Sequence, residues 1–270
     1  MDLSGIELAF YIFWYVMVFI FGTIIFSFLN VVIYRTPIKI SPAKGRSFCP
    51  KCHHTLGPLD LVPLFSWLFL RGKCRYCKAP ISGRYPLVES IGGFSALASA
   101  YFFVDPLYID FMSAGQAVCA FALCAILTVI AFIDHDTMTI FDWSNVVVAI
   151  IGVASFFFFK DITWLERLIG IFVVSLPMYL LVLWKEGAFG GGDIKLFAAL
   201  GVFFGWKYNL LIFFISTVVG GIYAAIGLAK KTKKRNEHFA FGPFICIAAV
   251  LILFFGKAIL SWYLGYLGFE

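Results

Sequence analysis

LAFYIFWYVMVFIFGTIIFSFLNVVIY, residues 8–34, runs for 27 positions without a charged side chain. About 20 apolar residues in a helix cross the hydrocarbon core of a bilayer, so this stretch is a membrane span. Asp2 and Glu7 precede it, and the first basic residue is Arg35. That order is the reverse of a cleavable signal peptide, which places positive charge ahead of a shorter apolar core. The run therefore reads as a retained first span.

The rest of the chain repeats the pattern. Hydrophobic residues make up 62% of the 270 and charged residues 13%, the latter about half the share of a soluble domain. Charges, Pro or Gly divide the apolar sequence into eight expected spans, near 8–33, 87–104, 111–133, 143–160, 164–185, 194–206, 208–229 and 240–265. The sixth is short and parted from the seventh only by Trp206, Lys207 and Tyr208. Pro177 falls inside the fifth, where neighbouring helices can absorb a kink. The expected fold is an all-α polytopic membrane protein with a small soluble insert. Its divisions are a first helix (1–33), an insert (34–86) and a membrane domain of about seven helices (87–270).

Positive charge orients the chain. The insert carries Arg35, Lys39, Lys44, Arg46, Lys51, Arg71, Lys73, Arg75, Lys78 and Arg84 against a single acid, Asp60, and the link 230–235 carries five more basic residues. With both segments in the cytoplasm, eight alternating spans bring Lys185 and Lys195 there too. Only Lys160, Arg167, Lys207 and Lys257 then lie on the far side, as the positive-inside rule requires. The N-terminus is expected to be extracytoplasmic and the lipid bilayer to be the basic insert's neighbour. The net charge of +6 thus needs no nucleic acid as partner.

Within the insert, Cys49-Pro-Lys-Cys52 and Cys74-Arg-Tyr-Cys77 form paired CxxC turns, each able to offer two sulfurs to one ion. A reducing cytoplasm disfavours disulfides. The expected occupant is zinc in a structural site, with a rubredoxin-like iron site as the other reading. An insert of this size has little core of its own, and a bound metal supplies stability. His53 and His54 flank Cys52 and read as surplus to the four thiolates. Cys119, Cys124 and Cys246 lie in apolar spans and read as small buried hydrophobes.

Two acids fall where the expected topology brings them to one membrane face. Asp134 follows the third span and Asp193 precedes the sixth, in Gly190-Gly191-Gly192-Asp193. Asp193 has a bland reading as a helix cap beside glycines that allow a turn. Asp134 has no such reading, because the C-terminal end of a helix disfavours a carboxylate. Asp136 and Asp142 read as solvated loop acids. Two carboxylates held close can share a proton, one activating water and the other protonating the leaving group. Glycines at 190 and 192 would let a substrate backbone approach. The competing readings are an ion or proton relay and a zinc-scaffolded assembly protein without activity.

These residues resemble the type IV prepilin peptidases over almost the whole chain. The resemblance runs through Gly22 and Ser27-Phe28-Leu29-Asn30-Val31-Val32-Ile33-Tyr34-Arg35, then both CxxC pairs and Arg84-Tyr85-Pro86-Leu87-Val88-Glu89. It continues through Ile133-Asp134, Gly190-x-Gly192-Asp193-x-Lys195 and Phe241-Gly242-Pro243-Phe244. Phe141 and Ala240 stand where the family usually has Pro. The resemblance implies a GxGD aspartyl peptidase of the bacterial cytoplasmic membrane with catalytic Asp134 and Asp193. It implies prepilin or pseudopilin substrates cut after a Gly at the cytoplasmic face. It further implies methylation of the new N-terminus from S-adenosylmethionine, an activity that goes with the tetracysteine insert.

Overall fold

The computed structural model describes residues 5–43, 45–185, 187, 189–230 and 239–266. They are helical throughout apart from loops and two isolated β-bridges. The long helices are α1 (Gly5–Arg35), α3 (Arg84–Phe103), α4 (Phe111–Thr137), α5 (Asp142–Phe158), α6 (Trp164–Trp184), α7 (Gly191–Ala229) and α8 (Gly242–Tyr266), with a short α2 (Phe65–Phe69) in the insert. Most of the basic link expected at 230–235 lies outside the described residues. Helices α1, α4, α6, α7 and α8 are each long and apolar enough to cross a bilayer. The chain is a multi-pass membrane protein.

Helix α7 is two helices. Gly205, at φ 69° and ψ 178°, interrupts it, and only a residue without a Cβ enters that region cheaply. The Asn209 amide donates to the Phe197 carbonyl at 3.0 Å, and the Phe197 and Phe213 rings lie 5.7 Å apart. Sixteen residues of unbroken helix would separate those rings by about 24 Å. The chain therefore reverses at Gly205, giving α7a (191–204) and α7b (206–229). Helical segments thus exist at each of the eight apolar stretches, and the sixth and seventh part within a residue or two of Trp206-Lys207-Tyr208.

The chain forms two compact units, Met1–Ala117 and Val118–Glu270. In the first, α1 packs on α3 through close glycine contacts. Phe26 is fully buried, lying over Gly92. The insert is tied to these helices by residues of the stretches 27–35 and 84–89. The Asn30 amide donates to the Tyr85 carbonyl at 3.2 Å. Arg35 donates to the carbonyls of Ser41 and Arg46. The Glu89 carboxylate accepts from the Leu64 amide at 2.8 Å. Trp67 covers Gly72 and donates to the Ile81 carbonyl.

In the second unit, α6 and α7a touch backbone to backbone. A Cβ at Gly170 would lie 2.6 Å from the Gly201 carbonyl oxygen. Arg167 is buried there and forms no ion pair among the described residues. Its guanidinium donates to Ser155 Oγ at 2.7 Å and to the carbonyls of Val202 (2.8 Å), Phe203 (3.2 Å), Gly152 (3.3 Å) and Phe159 (3.2 Å). Carbonyls at the ends of α5 and α7a lack helical partners, and the cation supplies them with donors at the favourable end of each dipole.

Candidate active site and metal centre

Asp134 sits in the last turn of α4, which continues to Thr137, four residues past the expected end. It is 5% exposed. Its Oδ2 accepts the Gly242 amide at 2.9 Å, a contact spanning 108 residues. Gly242 opens α8, and Pro243 follows it with no N–H to give. The first amide of α8 would otherwise be an orphan donor. It finds the carboxylate instead. This α8 terminus is the partner that the Asp134 helix end lacked when read alone. The fit is tight, because a Cβ at residue 242 would lie 2.7 Å from Oδ2.

Asp193 is the third residue of α7a, not a cap ahead of it. Gly190 takes the cap position, with extended backbone. The Asp193 carboxylate folds back onto the Gly190 backbone, and a Cβ at 190 would come within 2.9 Å of Oδ2. Gly192 lies against Ile140, with 2.9 Å from its missing Cβ to the Ile140 Cβ. The loop after α4 thereby seats on the start of α7a. Lys195 and Asp142 clamp the same junction with a 2.7 Å ion pair. Asp142, read from sequence as a solvated loop acid, is exposed but opens α5 and takes this partner.

The two aspartates, 59 residues apart in sequence, are within electrostatic reach of each other. Thus α4, α7a and α8 bring two carboxylates and one backbone amide together. Carboxylates that feel each other's charge do not ionise independently, which is the condition for one to act as base and the other as acid. The role of Gly242 was not readable from side chains, since it is a main-chain donor. The available sign was a Gly-Pro pair at the start of an apolar run.

In the insert, the four sulfurs of Cys49, Cys52, Cys74 and Cys77 lie within 4.8 Å of one another. The Cys49 and Cys77 sulfurs are 3.8 Å apart. A tetrahedral ion with sulfurs at about 2.3 Å sets them about 3.8 Å from each other, the spacing of the Cys49–Cys77 pair, so the cluster is compact enough to hold one metal ion. The two turns are built alike. Cys49 N–H donates to the His54 carbonyl and Cys74 N–H to that of Ala79, while His53 and Lys78 N–H donate back to Cys49 and Cys74. His53 and Lys78 both take left-handed backbone, φ 56° and 59°. Neither histidine belongs to the cluster: His54 lies on the Tyr76 ring and His53 on Phe48. Hydrogen bonds from the backbone of Cys52 and Lys51 lower the Cys49 thiol to about 7, while at Cys77, against a lowering hydrogen bond from the Ala79 backbone, burial and the neighbouring sulfurs push the thiol up to about 11, so one sulfur of the set favours the thiolate a metal needs and another the thiol. No disulfide occurs among the described cysteines.

Asp60, the lone acid of the insert, ties Gly57, Arg75 and Tyr76 together. Its side chain is 5% exposed and accepts Arg75 Nε at 2.6 Å, the Gly57 amide at 3.1 Å and the Tyr76 hydroxyl at 3.2 Å. Burial works to raise its carboxyl, but these donors outweigh it and hold the group below the usual carboxylate range.

Residues 20–103 match the model of the bacterial peptidase A24 N-terminal domain, and residues 121–225 match that of the type IV leader peptidase family. The first region contains the four cysteines and the second contains both aspartates. The chain is 32% identical to the prepilin leader peptidase/N-methyltransferase of Aeromonas hydrophila, over 92% of this chain and 93% of that one. It is 32% identical to the protein of the same name from Legionella pneumophila, over 94% and 96%. The Bacillus subtilis protein of that name is 29% identical over 92% and 97%. No solved structure matches the chain. With relatives this similar along nearly their full length, the chain belongs to the type IV leader peptidase family.

Proposed function

We propose that the protein is an aspartic endopeptidase. It removes the basic leader of type IV prepilins or pseudopilins, cutting after a Gly at the cytoplasmic face of the bacterial inner membrane. The observation that carries this reading is the meeting of Asp134 and Asp193 beside the Gly242 amide, in a family whose relatives bear the prepilin peptidase name. One carboxylate takes a proton from water as its oxygen attacks the scissile carbonyl. The other gives a proton to the departing amine as the C–N bond breaks. The Gly242 amide keeps Asp134 in place through both steps. The missing side chains at Gly190 and Gly192 let Asp193 and Ile140 sit against the loop, and Gly191 between them faces open space where a substrate backbone can approach.

The tetracysteine cluster binds zinc as a structural ion, since four sulfurs leave no open coordination position. Positive charge on the insert and on the 230–235 link supports a cytoplasmic location for both, with the N-terminus outside. The same protein methylates the new N-terminal amine from S-adenosylmethionine, the activity in its relatives' name. The described residues hold no glycine-rich nucleotide loop, and no residue is assigned to the methyl donor. A relay or a passive scaffold finds no support in these relatives.

The test is incubation of the purified protein with a prepilin, followed by mass spectrometry. A single cut after Gly is expected, and it should vanish in Asp134→Ala. No cut, or a cut that survives Asp134→Ala, would refute the peptidase. A labelled methyl donor in the same reaction reads the second activity.

A further inference from the structure

Asn145 is 5% exposed, and neither Nδ2 nor Oδ1 has a hydrogen-bond partner among the described residues. It lies on the inward line of α5 with Val148, Gly152 and Ser155, all buried. This line meets α7a. Gly152 packs against Val202 and Phe203, while Asp142, ten residues earlier, pairs with Lys195. Helices α5 and α7a therefore run in the same direction. Asn145 stands two turns, about 10 Å, before Gly152 and so faces the first turns of α7a, at the level just past Asp193. Ile140 against Gly192 fixes the same junction from the loop side.

A buried carboxamide with both polar atoms unpaired costs stability unless something else pairs with it. Its donor and acceptor together complement the N–H and C=O of one residue in an extended chain, which point to the same edge. An extended substrate brought to Asp193 would expose such a pair. We propose that Asn145 is a substrate-positioning residue whose carboxamide pairs with the main-chain N–H and C=O of one substrate residue beside the scissile bond. This rests on the peptidase reading above.

The experiment compares full-length wild type with Asn145→Leu, an apolar side chain of similar size, and Asn145→Thr as a smaller second variant. Because Asn145 has no hydrogen-bond partner to lose among the described residues, thermal unfolding of Asn145→Leu should stay at or above the wild-type temperature. Its kcat/KM on a prepilin peptide should fall about 10- to 100-fold. A series of substrates with a single backbone N–H replaced by an ester oxygen then locates the contact. Wild type should lose activity at one position where both variants lose nothing further. Wild-type kcat/KM in Asn145→Leu would overturn the proposal. So would an equal ester penalty at every position in all three proteins, or lower stability with unchanged kinetics, which would mark a bound water. If the wild type itself fails to cut, the peptidase reading falls and takes this one with it.

Discussion

The cysteine cluster and the aspartate pair are assembled in opposite ways. Each pair of sulfurs comes from a turn of four residues, and the turns repeat the same backbone bonds and the same left-handed residue after the second cysteine. The carboxylates come from separate membrane helices, and one is held by an amide 108 residues away. The first site carries its geometry in local sequence. The second borrows its geometry from the packing of α4, α5, α7a and α8. A local site fails alone, whereas a borrowed one can be damaged from a distance.

The largest effect expected is at the carboxylates themselves. Asp193→Asn or Asp134→Asn should lower kcat for prepilin cleavage about ten-thousand-fold with unfolding temperature little changed. Retained cleavage in either would break the contrast, since the long-range site would then do no chemistry. Gly242→Ala comes next. Its Cβ would press on Asp134 Oδ2, so kcat should fall about a hundred-fold while KM stays near its wild-type value. A change confined to KM would show that the amide serves binding instead.

How much of this could be read in advance follows the same divide. Hydropathy alone located the helical segments, and the charged punctuation at Trp206-Lys207-Tyr208 marked the reversal that Gly205 executes. The CxxC spacing named all four sulfurs, because a turn that short fixes its own geometry. Asp134 and Asp193 were legible as rare acids at the ends of apolar spans. Their partners were not. The Gly242 amide has no side chain to identify it, and Arg167 satisfies itself on carbonyls that any sequence would supply. Asn30 and Glu89 lie in stretches that carry the family resemblance, but their work of holding the insert appears only when α1, α3 and the insert are seen together.

The local site offers the next test. Cys74→Ser should reduce metal affinity about a hundred-fold or more, read by elemental analysis after dialysis against a chelator. Proteolytic cleavage within residues 36–83 should rise, because five non-glycine residues of the insert hold a positive φ that costs energy without the ion to offset it. Prepilin cleavage should fall far less than for the aspartate substitutions. An equal loss would show that the insert takes part in the cut. The smallest effect belongs to the clamp between Lys195 and Asp142, side chains 58% and 71% exposed. A double-mutant cycle with Lys195→Met and Asp142→Asn should give a coupling under about 1 kcal/mol, shrinking further in high salt.

The contact between Gly170 and Gly201 bears on how natural variants of this gene product should be sorted. Neither glycine touches a substrate, a metal or a carboxylate, and a survey of catalytic positions would score both as neutral scaffold. Yet a methyl group at either would wedge α6 from α7a, and Asp193 stands eight residues, about 12 Å, along that same helix. A conservative-looking Gly-to-Ala change at 170 or 201 therefore belongs with the loss-of-function alleles, alongside changes at the aspartates themselves.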